Sequence, residues 1–514
     1  MRLYTRVLKN QYHDSVVLML AAKEIKKIEH VIDAAYMMGT DVNKDLLKDG
    51  GMLSAEADTA QANDLIIAIK TDQELTQILD LAEGLLSART TPEKRGMDET
   101  NTIRSAIREH PEANMAVISV AGAYAAREAR EALAGGLHVL LFSDNVSLED
   151  EIALKKFALG RGLLLMGPGA GTAIINGVGL GFANQVQRGE IGIVSAAGTG
   201  LQEVSTLLAK RGLGISQAIG TGGRDLSKAV GGLMFFAALD ALQNNPDTKV
   251  IVLISKPPDI DIVEKLTASI QHSQKPIVVC LLGAEPQASG RKIFFTRTLE
   301  ECALVTAAVI NMTNLMVGYQ IERKDAELQQ KYQHLKTRFS KEQKYIRALY
   351  SGGTLCYEAQ VIWEDALSQP VYSNAPLKAG NRLENSLFSK GHCALDLGEE
   401  EFTLGRPHPM IDNDLRIQRM NQEAADPQTA VILLDVVLGY GAHPNPAEEL
   451  ADAIKNIQSD HQNIVFIASI IGTEEDPQSL SKSTNALHQA GVILCESNAQ
   501  AARLAAFLVE KDNQ

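Results

Sequence analysis

The 514-residue chain is short of basic charge: Lys and Arg number 49 against 63 Asp and Glu, a formal net charge of −14. That balance argues against nucleic acid or an anionic membrane as the main partner, while leaving room for a local basic pocket. Long apolar runs are also missing. No stretch of about 18 uncharged apolar residues occurs, so no membrane span is expected. The first residues carry neither an apolar core nor a small-residue cleavage site, so no signal peptide is expected and the cytoplasm is the expected location. Cysteine is sparse and scattered, at Cys280, Cys302, Cys356, Cys393 and Cys495. No CxxC pair occurs, which removes the zinc-knuckle and redox readings and leaves free thiols in a reducing compartment. No metal site is expected.

What is present is an ordinary globular composition, 45% hydrophobic and 22% charged, on a chain too long for one core. Residues 1–110 read as a small α+β unit: strand-like alternation at 2–8, helical spacing at 15–27, short β-type runs at 31–38 and 65–70, then a polar linker at 87–102. Residues 111–189 alternate strand and helix, and so do 190–345, with strands expected at 191–194, 215–219, 250–254 and 277–281. Residues 311–345 read as a long, partly helical surface connection. Residues 346–514 repeat the pattern, with strands at 345–349, 392–397, 430–435, 464–469 and 492–495. Buried apolar strands with helical crossovers imply parallel sheets. The Gly-rich stretch 167–181 contains no P-loop and reads as a flexible connection.

Chemistry is expected where these strands end, since open parallel sheets place their ligand crevice there. Ile191-Gly-Ile-Val-Ser-Ala-Ala-Gly-Thr-Gly-Leu-Gln-Glu203 runs from strand through glycines into a helix. Gly198, Thr199 and Gly200 then offer backbone donors to an anion, or simply make a tight turn. Ile219-Gly-Thr-Gly-Gly-Arg-Asp225 follows the next strand. There Thr221, Gly222 and Gly223 repeat the glycine turn, Arg224 offers a fork for phosphate or carboxylate, and Asp225 either orients Arg224 or caps a helix. Lys256 ends a third strand, as a ligand group or as an exposed loop lysine. Gly352, Gly353 and Thr354 form a further turn. Gly439, Tyr440 and Gly441 lead toward a helix beginning near Pro444, with His443 either touching an anion or capping in solvent. Arg406 and His408 flank Pro407, with Pro409 following, in a stiff loop suited to substrate contact or to rigidity alone. Among these, Arg224, Lys256 and His443 are the catalytic candidates.

The order of these segments resembles a known group. Leu137-His-Val-Leu-Leu-Phe-Ser-Asp-Asn-Val146 through Leu163-Leu-Leu-Met-Gly-Pro168 is similar to the CoA-binding domain of succinyl-CoA synthetase α subunits. Residues 191–203 resemble that subunit's SxSGTxxxE turn, and residues 219–225 its GxGGD turn. Residues 346–500 resemble the β subunit's carboxyl-terminal domain, through Leu395-Asp-Leu-Gly398 and Val437-Leu-Gly-Tyr-Gly441. The whole chain resembles the FdrA family of acyl-CoA-synthetase-like proteins, through Asp14-Ser-Val-Val-Leu-Met19, residues 219–225, Ser351-Gly-Gly-Thr-Leu-Cys356 and Gly405-Arg-Pro-His-Pro-Met-Ile-Asp412. The resemblance implies an α/β fold with a Rossmann-like domain at 111–189 and flavodoxin-like CoA-ligase domains at 190–345 and 346–514. Residues 1–110 are then an added assembly unit.

Three departures stand out. Leu282-Gly-Ala-Glu-Pro-Gln-Ala-Ser-Gly290 holds no histidine where the phosphorylated one of the synthetases lies. Residues 1–30 contain no glycine, so the CoA-gripping TGxxG loop is absent. Gly169-Ala170 replaces the polar and cysteine side chains usual after Gly-Pro. The domain order also leaves no room for an ATP-grasp domain. The FdrA resemblance therefore implies a carbamoyltransferase subunit of ureide breakdown, converting oxalurate and phosphate into oxamate and carbamoyl phosphate. CoA is not an expected ligand; phosphate or carbamoyl phosphate is, in a hetero-oligomer with partner subunits that also self-associates. A CoA ligase recruiting a separate ATP-grasp partner is the second expectation, and a non-catalytic scaffold or sensor the third.

Overall fold

A computed structural model describes the chain except for residues 12, 14, 76, 90–101, 286–288, 315, 404–406 and 511–514. The chain divides into two compact units, Met1–Thr100 with Glu400–Pro407, and Asn101–Glu399 with His408–Gln514.

In the first unit, β1 (Arg2–Leu8), β2 (Val31–Met38) and β3 (Leu65–Thr71) form an antiparallel sheet in the order β1-β3-β2. The central strand alternates with period two. Ile67 and Ile69 face Leu18, Ala21, Ile25, Ala82 and Leu86 of the helices Ser15–Lys26 and Ile78–Arg89. Ile66 and Ala68 face Leu47, Met52, Ala57 and Ala60 on the other side. The linker expected at 87–102 begins inside the second of those helices; most of it lies outside the described residues.

The second unit holds three sheets. β4 (Met115–Ile118), β5 (His138–Leu141) and β6 (Leu165–Met166) are parallel. A seven-stranded sheet follows, built from β7 (Thr172–Ile175), β8 (Val178–Gly181), β9 (Arg188–Ala196), β10 (Ile215–Gly220), β11 (Val250–Ser255), β12 (Ile277–Leu281) and β13 (Ile293–Thr296), in the order β13-β12-β11-β9-β10-β7-β8. The last sheet contains β14 (Tyr345–Tyr350), β15 (Val371–Ser373), β16 (His392–Asp396), β17 (Thr429–Val437), β18 (Val465–Ile471) and β19 (Ile493–Cys495), in the order β15-β16-β14-β17-β18-β19, with every pair parallel. The α/β architecture with two tandem parallel sheets and a small N-terminal unit is as expected. The connection expected to be flexible at 167–181 is instead the β7-β8 hairpin, antiparallel on the edge of the seven-stranded sheet. Its turn is Asn176-Gly177, both at positive φ, the geometry of the tight hairpin turn that Asn-Gly favours.

The two large sheets share one apolar cluster. Helices Gly198–Ala209, Leu299–Ile310, Gly353–Ala366 and Asn498–Val509 carry it, through Leu201, Val204, Cys302, Leu355, Trp363 and Leu504. The first of these helices is buried from Thr199 to Leu208, its polar residues Gln202 and Glu203 included. All five cysteines are free and buried. Among the described residues no helix is long and apolar enough to cross a membrane.

Candidate functional site

Two helices begin at equivalent places, each directly after a central strand, and their first turns touch. A Cβ added to Gly200 would meet Thr354 Cγ2 at 2.9 Å, and one added to Gly352 would meet Thr199 Cγ2 at 2.8 Å. Glycine at both places is what lets the two N-termini meet. The first N–H groups of a helix have no intrahelical acceptor and carry the positive end of its dipole.

The two helix starts differ in what satisfies them. Asp435, inside β17, accepts from Ser351 N at 2.8 Å, Ser351 Oγ at 2.9 Å and Gly352 N at 2.8 Å, and Arg416 Nη2 backs it at 3.1 Å. Asp396, the last residue of β16, presses on the same turn: a Cβ on Gly353 would sit 2.2 Å from Asp396 Oδ2 and 2.8 Å from Lys256 Nζ. Asp435 thus takes the N–H groups just ahead of this helix, while Asp396 lies against its first residue without accepting from it. Among the described residues the N–H groups of Gly198, Thr199 and Gly200 meet no acceptor. Thr199 Oγ1 is buried with no hydrogen-bond partner. A buried hydroxyl without a partner costs about 1–3 kcal/mol, so this turn holds unsatisfied donors that the other helix start does not show in the same number.

Charge around the turns is graded. Asp396 is buried, and burial pushes its carboxyl up to about 7 while Lys256 pulls the other way. Burial pulls the Lys256 ammonium down, but Asp396 and Glu399 together hold it above its usual range. Lys256 Nζ lies over the Tyr357 ring at 5.3 Å. Asn374 clamps the Asp396 backbone, accepting from its N–H and donating to its carbonyl, both at 2.9 Å. His408 stands beside this turn, its Nε2 2.6 Å from where a Gly398 Cβ would be. Burial, then Arg416, depresses its pKa to about 4. Behind the helix starts, Glu203 and Glu358 are buried and raised to about 7 and about 8, chiefly by burial.

The expected site residues therefore separate. Gly198, Thr199, Gly200, Gly352, Gly353, Thr354, Lys256 and His408 come together. Arg224 turns instead to Glu151 Oε2 at 2.8 Å and to the Val146 carbonyl at 2.8 Å. Asp225 does not orient it. Asp225 pairs with the buried Lys155 at 2.8 Å and accepts from Phe235 N at 2.7 Å at the start of the Leu233–Asn244 helix. Thr221 donates to the Ser195 carbonyl, Gly222 packs on Gly167-Pro168, and a Cβ on Gly223 would meet nothing. The Gly439 N–H is taken by Gln478 Oε1 at 2.9 Å, and the Tyr440 N–H by the Ala183 carbonyl at 2.9 Å. Gly441, at positive φ, packs on Phe182. These donors are not open to an anion, and the helix expected near Pro444 begins at Pro446. His443 is paired with Glu449 at 3.2 Å. Arg406 lies outside the described residues. Asp396, Asp435 and Arg416 were not among the expected site residues. The signal for Asp396 is a carboxylate ending an apolar strand two residues before a glycine.

A CoA-ligase family model matches residues 349–508 and a CoA binding domain model residues 186–283. The uncharacterized protein YahF of Escherichia coli (strain K12) is 41% identical over 516 residues, covering 98% of each chain. The chain belongs to the acyl-CoA-synthetase-like family that includes YahF. A succinate–CoA ligase [ADP-forming] subunit alpha from Methanothermobacter thermautotrophicus is 27% identical over 217 residues, 42% of this chain and 72% of that one. The solved structure of acetyl-coenzyme A synthetase 1 from Ca. Korarchaeum cryptofilum, in complex with phosphate and ADP, covers 82% of this chain and 86% of its own at 14% identity and a TM-score of 0.34.

These likenesses correct two expectations. A carbamoyltransferase was expected, but the matched models are CoA-ligase and CoA-binding ones and the Methanothermobacter relative is a succinate–CoA ligase subunit. CoA was not expected, and the same two models weigh against leaving it out. Residues 1–103 match a model described as "AllF, heavy metal-associated domain". They contain no cysteine, and among the described residues no group of three or more His, Cys, Asp or Glu could hold a metal ion. The residues do not fit a thiolate metal site, and no metal is assigned to them.

Proposed function

We propose that this chain is the subunit of an acid–thiol ligase of the succinyl-CoA synthetase type that handles an acyl phosphate and CoA, with a separate ATP-grasp partner supplying the nucleotide step. The observation that carries the reading is the open helix start at Gly198–Gly200, with the unpartnered Thr199 hydroxyl and with Lys256 nearby. Three backbone donors, a hydroxyl and an ammonium suit the oxygens of a phosphoryl group. As CoA sulfur attacks the acyl carbon, phosphate leaves and gains negative charge. Donors fixed in advance stabilise that charge without reorganising. In this reading residues 111–189, 190–345 and 346–514 are the Rossmann-like and two ligase domains, and residues 1–110 serve assembly.

Isothermal titration of the full chain with CoA and, separately, with inorganic phosphate tests the reading. Binding of both, with phosphate weakened by Thr199→Val, is the expected result. A folded chain that binds neither would end it.

A further inference from the structure

The two helix starts offer few groups able to accept a phosphoryl group covalently. His408 Nδ1 accepts from Met410 N at 3.2 Å, so its proton sits on Nε2 and neither nitrogen keeps a free lone pair. His443 Nδ1 accepts from Asn445 N at 3.1 Å and its Nε2 faces Glu449. Cys356 is buried, and burial pushes its thiol well above the ordinary range, so it stays protonated. Asp435 is committed through both oxygens to Ser351 and Gly352.

Asp396 differs from all of these. Its Oδ1 accepts from Gly398 N at 3.0 Å, while among the described residues Oδ2 accepts no hydrogen bond. Oδ2 lies against Gly353 beside Lys256 Nζ, and the adjoining Gly352 lies against Thr199. A carboxylate oxygen and a cation therefore lie at one helix start, and that start touches the one whose N–H groups are open.

We propose that Asp396 Oδ2 is the phosphoryl acceptor at these helix starts, forming an aspartyl phosphate from an acyl phosphate. The inference rests on the acyl-phosphate reading above. In the step, the bond between phosphorus and the acyl oxygen breaks and a phosphorus–Oδ2 bond forms. The electron pair leaves with the acyl oxygen as a free carboxylate, and no proton moves. Lys256 and the Gly198–Gly200 donors offset charge on the transferring group, the positioning and electrostatic work that such transfers need.

The test incubates the full chain with acetyl phosphate labelled in phosphorus, then reduces a portion with tritiated borohydride, which converts an aspartyl phosphate to homoserine. Label stable in acid, released by hydroxylamine and mapped by the reduction to residue 396 is expected, with none on Asp396→Asn. The mapping uses the unaltered chain, so it stands even where the variant does not fold. Label that is lost in acid but kept in alkali, as on histidine, or label retained by the variant, would overturn the proposal. An unlabelled chain that still binds CoA and phosphate by calorimetry would overturn it while leaving the ligase reading intact. A chain that is unlabelled and binds neither removes both.

Discussion

Gly352 lies against Thr199 so closely that a methyl group on it would sit 2.8 Å from Thr199 Cγ2 and 2.9 Å from Oγ1. The contact joins the starts of helices that follow two different sheets, so neither can give way without moving a buried helix. Gly352→Ala is expected to destabilise the fold by about 1–3 kcal/mol, the cost of overpacking a filled site. Urea denaturation measures it. An unchanged midpoint would mean that the two helix starts part freely.

Thr199→Val separates binding from folding. The hydroxyl it removes is buried and unpartnered, so its loss leaves the ligand-free fold as stable as before or more so. A bound phosphate, by contrast, loses a donor worth about 1–2 kcal/mol, roughly a tenfold weakening. Thermal melts with and without phosphate read both effects together, since a ligand that binds only the folded state raises the midpoint. A variant that melts lower without ligand yet keeps the full phosphate shift would remove Thr199 from the site.

The strands were legible because each is a short apolar run closed by a polar or glycine residue, and the glycines at 198–200 and 352–353 marked the two helix starts. Local pattern does not show which polar groups are already taken. Arg224 reads as a phosphate fork until Glu151 is found beside it. Asp225 reads as its orienting partner until Lys155, 70 residues earlier, claims it. Asp435 sits inside an apolar strand and gains meaning only from Ser351, 84 residues away. The Asn176-Gly177 turn carried a local hairpin signal, hidden among the glycines of 167–181.

Glu203 gives the fold a pH dependence of known sign. Burial holds its carboxyl at about 7 against an ordinary 4.5. Between those values the unfolded chain has released its proton while the folded chain keeps it, so stability falls as pH rises and levels off above about 7. The full fall is about 3 kcal/mol at 1.36 kcal/mol per unit. Glu203→Gln keeps an oxygen for Asn498 N, which donates to Glu203 Oε1 at 3.0 Å, and removes the titration. Relative to the unaltered chain, its stability is expected to gain between about pH 5 and pH 8 by most of that amount. Parallel curves at the two pH values would show that Glu203 ionises normally.

Lys155 and Arg224 share the carboxylate of Glu151 but occupy opposite situations. Lys155 is fully buried between Glu151 at 2.7 Å and Asp225 at 2.8 Å, and also donates to the Thr221 carbonyl at 3.1 Å. The Arg224 side chain is 48% exposed. Lys155→Met leaves two buried carboxylates without their central cation and is expected to cost about 3–5 kcal/mol. Arg224→Ala leaves Lys155 on the buried Glu151 and removes only its half-exposed partner, at an expected cost of about 1 kcal/mol. Because its guanidinium is turned to Glu151 and the Val146 carbonyl, Arg224→Ala is also expected to leave phosphate affinity within about twofold, a difference under 0.5 kcal/mol. Denaturation and phosphate titration of the two variants decide the roles. A loss of tenfold or more in the Arg224 variant would show that the side chain swings onto the anion, and would make its Glu151 contact the resting position of a binding group.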